Sequence, residues 1–61
     1  MLTYKEIKAK LANNDYDDLL EDLWLELQMY GYYKTIEEMV KDRNQDIARA
    51  MCEDFPDRYE I

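Results

Sequence analysis

Seven large apolar residues, Tyr16, Leu19, Leu20, Leu23, Trp24, Leu27 and Tyr30, recur along one segment of this chain. At about 100° per residue they share one wide face, which an amphipathic α-helix buries against a core. Gly31 follows directly, where a left-handed C-terminal cap is wanted. The pattern predicts a helix over 15–30, opening at Asn14 or Asp15, and the remaining segments must cover its apolar face.

Those segments are short. Sixty-one residues make one small domain, read here as residues 1–61 without a linker or internal repeat. A chain of this length buries only roughly 60% of its unfolded surface. Its core supplies no more than about 3–5 kcal/mol of net stability. One glycine and one proline are too few for the turns of a sandwich or barrel.

Two more helices have readable starts. Thr3-Tyr4-Lys5-Glu6 has the T-x-x-E spacing of a capping box, and Tyr4, Ile7 and Leu11 follow at helical spacing until Asn13-Asn14. Thr35-Ile36-Glu37-Glu38 repeats the motif, with Ile36, Met39, Val40, Ile47, Ala50 and Met51 on one side. This third helix ends before Phe55-Pro56, because the residue preceding proline is pushed out of the helical region. The expected fold is all-α, a three-helix bundle with helices over 3–12, 15–30 and 35–53. The tail over 54–61 either folds back or frays. Arg43 falls inside the apolar stripe of the third helix, so it either snorkels to the surface or pairs with a facing carboxylate.

Charge is unevenly placed. Net charge is −7, and from Leu11 to Tyr33 there is no lysine or arginine but six carboxylates: Asp15, Asp17, Asp18, Glu21, Asp22 and Glu26. From Asp15 to Glu26 a helix rises about 16–17 Å, giving one charge per roughly 3 Å, near the ~3.4 Å of one DNA strand. Like charges at such spacings repel by a few tenths of a kcal/mol per pair. The plain reading is a solvated face partly neutralised by Lys5, Lys8 and Lys10. The functional reading is a surface for a basic partner. Leu25 and Met29, four apart and opposite the core stripe, would be apolar anchors within the charged rim unless another element covers them. Of the six tyrosines, Tyr4, Tyr16 and Tyr30 fit core-edge positions. Of Tyr32 and Tyr33, one packs against the helix end and the other is open to a partner. The candidate partner-binding residues are therefore Asp15, Asp17, Asp18, Glu21, Asp22, Leu25, Glu26, Met29, Tyr32 and Tyr33.

Several chemistries are disfavoured. There is no histidine and no serine, and Cys52 is the lone cysteine, in an apolar helical context. Neither a nucleophile with a base in reach nor a zinc set can be assembled readily. Asp15, Asp17 and Glu26 fit positions 1, 3 and 12 of an EF-hand loop, but Leu20 stands where the sharp turn demands glycine. Direct nucleic-acid binding conflicts with the negative charge. No catalytic residue, metal or cofactor is expected, and neither is a membrane contact. Without an apolar leader segment, the expectation is a cytoplasmic protein.

In size and acidity alone the chain resembles the small inhibitors that phages and mobile elements encode against nucleic-acid-handling enzymes, such as anti-CRISPR and anti-restriction proteins. It is similar in the same sense to short antitoxins. The resemblance implies a non-enzymatic inhibitor whose acidic helix occupies a basic groove of a protein partner. The alternative is an interaction module, as a homodimer or adaptor, bound mainly through apolar contacts.

Overall fold

Thr3 opens the first helix. In the computed structural model, which describes all residues 1–61, its Oγ1 accepts from the Glu6 amide at 3.3 Å and α1 runs Tyr4–Ala12. Asn13 caps the other end, and Asn14 takes φ 57°. Asparagine is among the few residues besides glycine that visit this left-handed region readily. The Asn14 and Asp15 amides then donate to the Leu11 and Lys10 carbonyls at 3.1 and 2.9 Å. This paired closure is a Schellman motif, and it uses Asn14 to finish α1 instead of starting the next helix.

The second helix accordingly begins later than expected. α2 spans Asp18–Met29, and Asp17 is its N-cap, its carboxylate accepting from the Leu20 amide at 2.9 Å. At the far end Gly31 has φ 78°. The Gly31 and Tyr32 amides close a second Schellman pair onto Gln28 and Leu27 at 2.9 and 3.3 Å. A Cβ at Gly31 would meet nothing within 4 Å, so backbone angle alone requires glycine there.

The third expected helix is two. Thr35 caps α3, Ile36–Lys41, and the Glu38 carboxylate reaches back to the Lys34 amide at 2.9 Å. α4 follows as Ile47–Asp54. No glycine or proline lies between them. Asp42 Oδ1 accepts from the Asn44 amide at 2.9 Å, and Asp46 Oδ1 from the Arg49 amide at 3.1 Å. Short polar side chains thus supply the main chain with non-helical partners, and Asp46 becomes the N-cap of α4.

The tail folds back. After a turn at 56–58, β2, Tyr59–Glu60, lies parallel to β1, Leu2–Thr3, with Leu2 opposite Tyr59 and Thr3 opposite Glu60. The architecture is helix-rich, four helices and a two-strand ladder, in place of three continuous helices. α4 is its hub. Ile47, Ala48, Met51 and Cys52 of α4 join Ile7 and Leu11 of α1, Leu20 and Leu23 of α2, Met39 of α3 and Tyr59 in one buried cluster. An eight-residue helix is marginal by itself, so this burial is what holds α4. No helix is long and apolar enough to cross a membrane.

Gly31→Ala tests the second cap. The left-handed angle costs an alanine about 1 kcal/mol with no steric clash added. Thermal melting should show a fall in Tm of roughly 4–8 °C for a domain of this size.

Candidate functional site

α2 is anchored from one side. Leu20 and Leu23 are buried, and Leu19, Trp24 and Leu27 pack half-buried against the same cluster. The opposite side faces solvent. At about 100° per residue, Asp18, Asp22, Leu25 and Met29 follow one another along it, flanked by Glu21 and Glu26. Leu25 is 46% exposed and Met29 86%, so neither the tail nor α1 covers them. The result is a convex ridge roughly 16 Å long, acidic towards the start of α2 and apolar towards its end.

Two more exposed aromatic residues follow the helix. Tyr30 and Tyr32 are 71% and 68% exposed, with ring centroids 6.3 Å apart and planes tilted by 39°. Tyr30 was expected at the core edge. The helix ends at Met29, so its ring lies beyond the reach of the core. Its place directly before the capping glycine was the signal that could have revealed this. Tyr33 turns the other way, half-buried, with its hydroxyl donating to Asp42. Tyr32 is thus open to solvent and Tyr33 is not.

The carboxylates divide by partner. There are two ion pairs, Lys10 with Asp15 at 3.1 Å and Arg49 with Glu53 at 3.4 Å. Asp15 precedes α2 and is paired with a base of α1 as the plain reading anticipated. Asp17 is occupied by the Leu20 amide and by the Tyr59 hydroxyl. Asp18, Glu21, Asp22 and Glu26 have no ion pair. Lys5 forms none either, and the Lys8 ammonium sits 5.3 Å from the Tyr4 ring centroid. Asp18 and Glu21 lie in the first turn, where the helix dipole favours them, but Asp22 and Glu26 lie beyond it, and the last turn has no base.

Elsewhere, phenols do the work of cations. Tyr4 donates to Asp46, Tyr33 to Asp42 and Tyr59 to Asp17. The Tyr33 hydrogen bond, aided by the Asn44 amide, holds the Asp42 carboxyl below its ordinary range. The Tyr4 hydroxyl does the same for Asp46, helped by the Arg49 amide. The bond to Asp42, with some burial, pushes the Tyr33 phenol up to about 12. Tyr59 is raised by burial first and by Asp17 second. Burial also pushes up the Cys52 thiol, which disfavours its nucleophilic thiolate.

Arg43 reaches the surface, one of the two outcomes expected, but from a turn and not from an apolar helical stripe. The helix break places it exposed in the 42–46 turn, unpaired, on the rim of a groove that also includes Lys8. A continuous third helix has no such groove, so the sequence reading missed it. The cluster of Asp42, Asn44 and Asp46 was the one available sign. Comparison with protein-family models, with curated proteins and with solved structures returns no match.

The phenol–carboxylate bonds make part of the stability pH-dependent. The Tyr33 phenol, at 10.0 when unperturbed and about 12 when folded, contributes stability that is complete below pH 10 and is lost as pH rises towards 12. Asp42 and Asp46, with lowered folded values, contribute stability that is complete above about pH 4 and is lost as pH falls through those values. Denaturant titrations across pH should show a plateau between these limits. Tyr33→Phe should shrink the alkaline limb and leave the part due to Tyr59.

Proposed function

We propose that the protein is a non-enzymatic inhibitor or regulator that lays the outer ridge of α2 on a basic groove of a nucleic-acid-handling protein, where it substitutes for nucleic acid. One observation carries this reading: Asp18, Glu21, Asp22 and Glu26 lack ion pairs on the same face that leaves Leu25 and Met29 exposed. The helix start at Asp18 trims the anionic row from six groups to four. From Asp18 to Glu26 they still average one charge per about 4 Å, comparable with the ~3.4 Å of a nucleic-acid strand.

Magnitudes divide the labour along the ridge. An exposed ion pair contributes about 0–1 kcal/mol, whereas full burial of a leucine or methionine contributes roughly 1.5–3 kcal/mol. The carboxylates therefore set approach, orientation and choice of partner. Leu25, Met29 and the Tyr30–Tyr32 pair supply most of the affinity. The extent of that apolar end favours a second reading, an adaptor or homodimer in which the acids only keep the rim soluble. Salt separates the two, because counterion-dependent docking weakens steeply as salt rises and apolar docking does not.

The test uses a partner captured from the native host and a variant carrying Asp18→Asn, Asp22→Asn and Glu26→Gln. Titration should show at least a tenfold loss of affinity and a flatter dependence on salt, and nucleic acid should compete with the unaltered protein. Undiminished binding by the variant would count against the mimicry. Leu25→Glu should weaken binding under both readings and serves as the control.

A further inference from the structure

The break between α3 and α4 opens a groove of about 390 Å³ against α1. Leu11, Val40 and Ile47 lie along its floor, and Lys8 and Arg43 stand at its rim. Neither cation has an ion pair. The one carboxylate lining the groove, Asp46, is occupied by the Tyr4 hydroxyl and the Arg49 amide. On a molecule of net charge −7, this is a concavity with an apolar floor and two cations, Lys8 over the Tyr4 ring and Arg43 free of ion pairs, against one carboxylate.

We propose that this groove receives the α2 ridge of a second copy of the chain. The groove calls for a convex occupant with apolar side chains set among anions. Leu25 and Met29, beside Asp22 and Glu26, have that chemistry. α2 contributes no residue to the groove, and the ridge faces away from the core, so a copy does not fill its own. Each copy offers one ridge and one groove, and the contact is head-to-tail and extends beyond a pair. A small anion is a poorer occupant. Leu11 and Ile47 are already buried in the core, so most of the newly covered apolar surface must come from the incoming side.

Net charge gives this assembly a distinctive salt dependence. The molecule measures 30 × 21 × 20 Å. At 0.01 M salt the Debye length is about 30 Å, so whole molecules repel; at 0.15 M it is about 8 Å, so mainly the facing patches interact. Association therefore strengthens from low to physiological salt. The proposal rests on the ridge described above and makes self-assembly and partner binding compete for it.

Sedimentation velocity of the full chain, from micromolar to millimolar, tests it. The unaltered protein should grow with concentration past dimer. A groove variant, Arg43→Glu with Lys8→Gln, and a ridge variant, Met29→Glu, should each stay monomeric. Mixed in equal amounts, they should form a mixed dimer and nothing larger, since one intact ridge then meets one intact groove. Three results would overturn the proposal: a monomer at millimolar concentration and physiological salt, assembly that survives the groove changes, or a mixture of folded variants that stays monomeric. If the groove variant fails to fold by circular dichroism, Arg43→Gln replaces it, with about tenfold weaker association expected. The groove variant should keep its affinity for a captured partner. Loss of the mimicry with the mixing result intact would sink only the proposed function.

Discussion

Three hydrogen bonds from tyrosine hydroxyls to aspartates organise this molecule, and two of them hold its ends to its middle. Tyr4 to Asp46 and Tyr59 to Asp17 each join residues 42 apart in sequence. The first ties α1 to the turn before α4, and the second ties the tail to the start of α2. Tyr33 to Asp42 fixes the other side of the same turn. Each of these aspartates also accepts from a main-chain amide, so local capping and long-range contact meet on one carboxylate. An acidic chain gains from neutral donors here: a phenol satisfies a carboxylate without drawing on eight bases that must serve fifteen acids.

A phenol also leaves the aspartate's charge in place. Structural order is achieved without bringing the net charge towards zero, and most lysines and arginines stay outside ion pairs. This links the interior to both surface features. The ridge of α2 remains anionic because no base is brought over it. The groove keeps Lys8 and Arg43 against a single carboxylate, Asp46, whose charge the Tyr4 bond leaves in place.

The legible parts of the sequence were those decided locally. Thr3, Thr35 and Gly31 cap helices because cap geometry depends on residues within one turn, and the leucines of α2 face the core because burial follows helical period. The same wheel set Leu25 and Met29 opposite the core, but only the structure showed that neither the tail nor α1 covers them. What escaped was decided by competition. Asn14 could have started a helix, but the left-handed angle it tolerates ended one instead. Residues 42–46 carry no breaker in the usual sense. Two aspartate side chains there take main-chain amides from the helical pattern, and the same carboxylates accept from Tyr33 and Tyr4, which arrive from elsewhere. Tertiary partners of that kind are invisible to a local pattern, and with them went the groove and the position of Arg43.

The outer face of α2 is where folding physics stops explaining the sequence. Asp18 and Glu21 have the helix dipole as a reason to be acidic, and Asp17 has its cap. Asp22 and Glu26 have neither, and they repel their neighbours by a few tenths of a kcal/mol. Leu25 and Met29 contribute nothing to the buried cluster. Lysine at any of these four positions would relieve repulsion or remove exposed apolar surface without touching a core contact. A face whose composition costs stability, on a helix anchored only by its other side, is what the proposed docking would account for.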